Sequence, residues 1–230
     1  IVPYVRGRER SRSVDDILKE CKSLIDQGYK YITLLGQNVN SYGNDFEDKN
    51  INFAYLLKQV ASLDGDFRVK FMTSHPKDLT LDVIKTIANS DKICNIIHLP
   101  IQSGSNTILK AMNRRYTREH YLSLIEMIRQ YIPDAYISTD IIVGFPGETE
   151  EDFCELCEFV KQMRFERAGV FTYSREEDTV AYDLPDQIDE QVKQDRMDIL
   201  MQSQLNEMKN RTNQEMQYLV HDLKSPLTTV

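Results

Sequence analysis

An α/β fold built on a parallel sheet is the class this sequence predicts, on three observations. Runs of β-branched and apolar residues alternate with one-sided helical stripes along most of the chain, which is the spacing of right-handed parallel crossovers. Each strand-like run ends in a polar loop, at 36–40, 73–76, 102–106 and 144–149. Finally, Thr139 to Glu148 drives from a β-branched run, Ile141 to Val143, straight into a Gly-Phe-Pro-Gly turn. Glu148, Thr149 and Glu150 then open an amphipathic helix, where acidic residues suit the positive end of the helix dipole.

The elements follow in order. Val14 to Gln27 has apolar residues at 14, 17, 18, 21, 24 and 25, a helical stripe that Gly28 ends. Tyr31 to Leu35 is a strand closed by Gly36-Gln37-Asn38-Val39-Asn40. Phe53 to Leu63 is a helix, and Arg68 to Met72 a strand closed by Thr73-Ser74-His75-Pro76. Leu79 to Asn89 is a helix, and Ile96 to Ile101 a strand closed by Gln102-Ser103-Gly104-Ser105-Asn106. Two helices come next, Thr107 to Met112 and Arg118 to Tyr131. Tyr136 to Val143 is a strand, Glu150 to Met163 a helix and Ala168 to Tyr173 a strand. From Asp189 one long polar helix is expected to about residue 217. Five strands are visible, with a first strand expected to be missing from the N-terminal side. Ile1-Val-Pro-Tyr-Val-Arg-Gly7 is no initiator sequence, so the chain reads as cut from something longer. The expected divisions are a barrel core over 1–188, a helix over 189–216 and a tail over 217–230.

A chain of 230 residues, 41% hydrophobic, can bury the core of one sizeable α/β domain. No apolar run is long enough to span a bilayer, and the start carries no charged-apolar-small leader. The four cysteines, at 21, 94, 154 and 157, have no disulfide-framework spacing, which points to a reducing cytoplasm. The net charge of −8 argues against whole-surface nucleic-acid binding while leaving room for a local basic patch. Arg6, Arg8, Arg10 and Arg12 form one such cluster, and Arg114, Arg115 and Arg118 a second. Either can hold RNA phosphates or be a solvated charged loop. His98, on an apolar strand, reads as a satisfied core or rim histidine. Cys154 and Cys157 are spaced as a Cys-x2-Cys pair but fall beside Phe153, Leu156 and Val160 on one helix, so core packing is expected of them, as of Cys21 and Cys94. Phe171 and Tyr173 stack on a ligand or pack.

In a parallel α/β barrel the carboxyl ends of the strands carry function. All four polar loops lie there, which makes a small-molecule site. Several ordered stretches then carry a resemblance. They are Ile1 to Gly7, Leu34-Leu-Gly-Gln-Asn-Val-Asn-Ser-Tyr-Gly43, Arg68 to Asp78, His98-Leu-Pro-Ile-Gln-Ser-Gly-Ser-Asn106, Lys110 to His120, and the strand-turn at 139–148. Together they resemble the radical-SAM methylthiotransferases, and within them the branch acting on isopentenyl-adenosine beside the tRNA anticodon. That resemblance implies a partial (β/α)6 barrel, a 4Fe-4S cluster that reduces S-adenosyl-L-methionine to a deoxyadenosyl radical, and a second cluster on a separate N-terminal domain. It also implies tRNA as substrate, an electron donor such as flavodoxin, and a monomer. Carried over by position, Gln37 and Asn38 sit over S-adenosylmethionine, and Ser74 and His75 line the next side. Gln102 and Ser103 hydrogen-bond its ribose or amino-acid group. Asp140 and the backbone from Gly144 to Gly147 close the adenine side. Amide side chains, offering donor and acceptor at once, suit a zwitterion with ribose hydroxyls.

Three departures accompany the resemblance. The family's Cys-x3-Cys-x2-Cys triad would end immediately before Ile1, so this chain is expected to lack the cluster ligands and to be inactive as given. Residues 165–200 lean toward the branch that methylthiolates an aspartate of a ribosomal protein, although the loops facing the site match the tRNA branch. The tail, Gln217 to Thr228, resembles a histidine-kinase phosphoacceptor box with His221 as the acceptor and Pro226 as a helix kink, which opens a signalling or scaffold fusion as another reading. A frayed terminal helix is the behaviour expected of it.

Overall fold

The computed structural model describes residues 7–72 and 74–224, without the side chains of residue 211 and residues 214–224. The elements are α1 (Val14–Asp26), β1 (Tyr31–Leu34), α2 (Phe53–Ala61), β2 (Arg68–Phe71), α3 (Leu81–Ala88), β3 (Ile96–His98), α4 (Asn106–Ala111), α5 (Arg118–Tyr131), β4 (Tyr136–Val143), α6 (Glu150–Met163), β5 (Arg167–Thr172) and α7 (Glu190–Lys224). Short 3-10 turns lie at Val39–Ser41, Pro76–Asp78 and Val180–Asp183.

All strand pairings among the described residues are parallel. β1 pairs with β2 from Tyr31↔Arg68 to Leu34↔Phe71. β4 lies between β3 and β5, with Ile96↔Tyr136 and Ser138↔Arg167 at the starts of the two ladders. A bridge from Val69 to Ile93 and the Cys94 N–H to Val69 carbonyl bond at 2.9 Å carry the order β1-β2-β3-β4-β5 across the break between the two sheets. The result is the expected partial barrel, with helices on its outer side.

Local chemistry starts five of the helices. Ser13, Asn52, Thr80, Thr117 and Thr149 are N-caps whose side chains accept a backbone N–H of the first turn. Thr149 and Asp152 complete a capping box on α6. Along β4 the burial alternates. Ile137, Thr139, Ile141 and Val143 are fully buried against the helices, whereas Ser138, Asp140 and Ile142 are half-buried on the opposite face. That face is therefore free to carry polar groups.

β3 is shorter than the sequence leads one to expect, ending at His98 instead of Ile101. Pro100 has no N–H to extend a ladder, and other donors take the carbonyls beyond His98. Tyr121 Oη donates to the Leu99 carbonyl at 2.7 Å, and Tyr116 Oη to the Ile101 carbonyl at 2.9 Å. The Thr139 hydroxyl adds a bond of 3.0 Å to the Leu99 carbonyl. Gln102 then rejoins β4: its N–H reaches the Asp140 carbonyl and its carbonyl accepts from Ile142 N, both at 2.9 Å. Its φ of 73° marks the sharp re-entry. β5 likewise stops at Thr172, one residue before Tyr173, and α7 runs to Lys224, beyond the expected end near 217. Cys21 and Cys94 are buried as expected. Of the pair on α6, Cys157 is half-buried and packs against the core, whereas Cys154 is exposed, because α6 turns Phe153, Leu156 and Val160 inward instead.

Candidate functional site at the carboxyl ends of the strands

The loops after β1, β2 and β3 are tied to one another by their polar side chains. Asn38 uses both ends of its amide: Nδ2 donates to Asp78 at 2.6 Å, and Oδ1 accepts the His75 N–H at 3.2 Å. Ser74 is buried, its hydroxyl donates to Asn40 Oδ1 at 3.4 Å, and its N–H reaches the His98 carbonyl at 3.3 Å. His98 in turn contacts Asp140 at 3.2 Å through Nε2 and Ser138 at 3.0 Å through Nδ1. His98 is thus the satisfied rim histidine the sequence leads one to expect. It also fixes the Asp140 carboxylate, which sequence reasoning did not foresee. Ser103 is buried and accepts the Ser105 N–H at 3.3 Å, while the Ser105 hydroxyl donates to Asp152 at 2.6 Å, fastening this loop to α6.

Asn40 is a residue that sequence reasoning passed over. It is buried, and its Nδ2 has no hydrogen-bond partner among the described residues. A buried amide donor left open costs free energy unless a ligand or water meets it. Gln37 is exposed and, with Gly36 and Asn38, lines a cavity of about 820 Å³ that continues to Arg8, Arg10 and Arg12. The available signal was the amide-rich spacing Gln37-Asn38-Val39-Asn40 itself.

The turn after β4 is held differently. Gly144 has φ +71°, and a Cβ there would stand 2.3 Å from Lys193 Cγ, so only glycine fits. Gly147 has φ +82° in open space, and its N–H reaches the Asp186 carbonyl at 3.0 Å. The carboxylate of Glu148 folds back under the turn, accepting the Gly144 N–H at 2.9 Å and pairing with Arg196 at 2.7 Å. Burial pushes the Glu148 carboxyl above its usual range, against the pull of the Gly144 N–H and Arg196. Lys193, almost fully buried, donates to the Tyr173 carbonyl at 3.2 Å and pairs with Glu190 at 2.6 Å. The first turns of α7 are thus part of the wall behind this loop, a role its polar sequence did not reveal. Tyr173 packs on Phe145 at 5.2 Å between centroids, whereas Phe171 is exposed.

The basic clusters divide. Arg8, Arg10 and Arg12 are exposed, but Arg12 pairs with Glu20 at 2.7 Å, and Arg6 lies outside the described residues. Arg118 leaves the second cluster to stack on Phe159 at 4.9 Å. Arg114 and Arg115 remain together beside His75 and Lys77. Neither His221's side chain nor Pro226 is among what is described. No group of His, Cys, Asp or Glu among the described residues is placed to hold a metal ion.

The structure thus defines the class: a parallel partial α/β barrel with polar loops at the carboxyl ends of its strands. Residues 1–160 match the Radical SAM superfamily, and the chain belongs to it. It is 60% identical over 202 residues to the tRNA-2-methylthio-N(6)-dimethylallyladenosine synthase of Clostridium tetani, covering 88% of this chain and 44% of that protein. The synthase of Thermoanaerobacter pseudethanolicus is 55% identical over 204 residues, covering 89% and 43%. The chain therefore spans less than half the length of these curated relatives. Among solved structures, coproporphyrinogen III oxidase from Escherichia coli aligns with a TM-score of 0.58 at 19% identity, over 83% of this chain and 46% of that one. Methylornithine synthase aligns at 0.56 with 15% identity, over 88% and 57%. These two bear on the fold alone.

The lean of residues 165–200 toward the ribosomal-protein branch is not borne out. A match of 202 residues within a chain of 230 necessarily includes them, and it is to the tRNA branch. The phosphoacceptor resemblance of the tail is not borne out either. No helix among the described residues is long and apolar enough to cross a membrane.

Proposed function

We propose that this chain is the radical-SAM core of a cytoplasmic tRNA methylthiotransferase that converts isopentenyl-adenosine to its 2-methylthio form. The observation that carries the reading is the 60% identity to the Clostridium tetani synthase across 88% of the chain. A match of 202 residues spans every strand-end loop from Gln37 to Glu148.

S-adenosyl-L-methionine fits the residues present. The open Asn40 Nδ2 offers a donor, and the neighbouring Ser74 oxygen, whose O–H goes to Asn40 Oδ1, an acceptor for its amino-acid group or ribose, with Gln37 and Asn38 above. Gln102 and Ser103 complete the site in this reading from the next loop. Asp140, held by His98, and the backbone of the turn between Gly144 and Gly147 close the remaining side, with His75 at the outer edge. When bound, this cofactor supplies both the radical and the methyl group. The protein's part is to orient it and exclude water. The 4Fe-4S cluster that the family implies finds no ligand set among the described residues: Cys21 and Cys94 are buried, Cys157 packs against the core, and Cys154 is exposed on α6. RNA phosphates are taken by Arg8 and Arg10, both exposed, at one edge and by the exposed Arg115 with the half-buried Arg114 at the other, with Arg12 behind its Glu20 partner and Arg6 next to them in sequence. An electron donor such as flavodoxin and a monomeric state complete the reading, with the core division at 188 falling just before α7.

The deciding experiment expresses the native protein carrying this sequence in a bacterium deleted for its tRNA methylthiotransferase. Nucleosides from its tRNA are then analysed by mass spectrometry. The 2-methylthio nucleoside should return. Isopentenyl-adenosine that persists unmodified, with the protein present and cluster-loaded, would sink the proposal.

A further inference from the structure

We infer that Arg196, on α7, is a positioning residue for the cofactor: through Glu148 it couples the packing of α7 on the barrel to the binding of S-adenosylmethionine. The inference deepens the reading above, in which the turn between Gly144 and Gly147 closes one side of the cofactor site, and it rests on that reading.

The turn does not hold itself. Gly144 and Gly147 stand at φ 71° and 82°, and glycine leaves that backbone wide freedom. Oε1 of Glu148 accepts the Gly144 N–H at 2.9 Å and, from the other side, Nη1 of Arg196 at 2.7 Å. The same Nη1 reaches the Glu148 carbonyl at 3.2 Å, and Nη2 reaches Glu150 at 3.2 Å. One guanidinium therefore grips the end of the turn and the first residue of α6 together, over the Phe153 ring at 5.3 Å. α6 carries the grip onward. Its Asp152 accepts the Ser105 hydroxyl at 2.6 Å, so the loop holding Gln102 and Ser103 hangs on the same helix end. Two neighbours share the load: the Lys193 stem fills the space under Gly144, and the Asp186 carbonyl accepts the Gly147 N–H at 3.0 Å.

The ion pair is made at one point, although a guanidinium fork and a carboxylate favour two. Nε of Arg196 and Oε2 of Glu148 are both buried and have no hydrogen-bond partner among the described residues. Charged-group atoms left unmet in a buried pair cost free energy, so the pair has a better-satisfied arrangement to move to. Reaching it shifts α7 against the turn. A ligand on the turn that favours one arrangement then shifts α7 with it, and by reciprocity the packing of α7 changes cofactor affinity by the same factor.

The test uses the native, cluster-loaded protein carrying this sequence, with S-adenosyl-L-methionine binding read by calorimetry. Arg196→Gln should weaken binding about tenfold. Leu200→Ala destabilises the same helix without touching Glu148, and should weaken binding by less than about twofold. Arg196→Lys, which keeps one donor for Glu148, should recover part of the loss. Glu148→Ala should weaken binding by about the same factor as Arg196→Gln, and the two together should cost no more than either alone. Hydrogen exchange gives a readout in the wild type, which needs no variant to fold. The amides from Gln194 to Leu200 should exchange about tenfold more slowly with the ligand bound. Exchange in α7 that ignores the ligand would overturn the inference. So would equal losses for Arg196→Gln and Leu200→Ala, or additive losses for Arg196→Gln and Glu148→Ala. Failure of the wild type to bind S-adenosylmethionine at all would instead overturn the reading of the cofactor site, and the coupling with it.

Discussion

Gly144 shows how much one position can carry. Its left-handed φ was legible in the sequence, because Gly-Phe-Pro-Gly after a β-branched run has little else it can be. Its second constraint was not legible: the space a Cβ would need is filled by Lys193, a residue almost 50 positions further on. Gly144→Ala should therefore destabilise by about 2–3 kcal/mol, combining a strained φ with displacement of the lysine stem. Gly147→Ala, at a similar φ in open space, should cost only about 1 kcal/mol. Urea denaturation compares the two, and equal costs would remove Lys193 from the explanation. Tyr121 makes the same point inside the core. It is fully buried, and its hydroxyl donates to the Leu99 carbonyl in place of a strand partner. Burial drives its ionisation far above the ordinary range. Tyr121→Phe should cost about 1–3 kcal/mol, as a buried carbonyl loses its donor. A neutral result would mean that the Thr139 hydroxyl suffices.

At the scale of elements, the caps, strand runs and helical stripes were readable because each is encoded within a few residues. α5 and α6 fall within the expected bounds, and the five strands lie where their β-branched runs do. The tether between α7 and the turn after β4 was not readable. A polar helix carrying Lys193 and Arg196 looks solvated until it is packed. Arg196 pairs with both Glu148 and Glu150, at 2.7 and 3.2 Å, and its side chain is only 8% exposed. Removing one partner of a buried pair strands the other, so Arg196→Ala should cost about 3–5 kcal/mol in urea unfolding at constant m-value. Glu148 adds a pH dependence. Its folded pKa lies above the ordinary 4.5, so the folded state holds the proton more tightly than the unfolded one. The stability this confers is complete below about 4.5 and is lost as pH rises through the folded value. The stability of Glu148→Gln relative to wild type should therefore improve between about pH 4 and pH 8. A change in the opposite direction would show that Arg196 outweighs burial.

For the whole molecule, the question is whether α7 is an appendage or part of the domain. Its first turns pack on β5, β4 and α6 and bury Lys193, Arg196 and Leu200. Loss of far-UV circular dichroism and the change in tyrosine fluorescence should accordingly coincide in one transition. Leu200→Ala should lower its midpoint by the equivalent of about 2–5 kcal/mol without splitting it. Two separated transitions would make α7 an independent element, despite its buried contacts.

By itself the sequence determined the parallel α/β class, the order of its elements, the superfamily, and the polar loops at the strand ends. All of these rest on short-range patterns: period, caps, turn residues and contiguous motifs. Tertiary structure alone decided which polar groups are paired and which are left open. Only packing could show Asp140 fastened by His98, Glu148 buried against Arg196, and the donors of Asn40 and Arg114 that have no partner among the described residues. The physical reason is that hydrogen-bond satisfaction and desolvation depend on neighbours tens of residues away, and no local pattern encodes them.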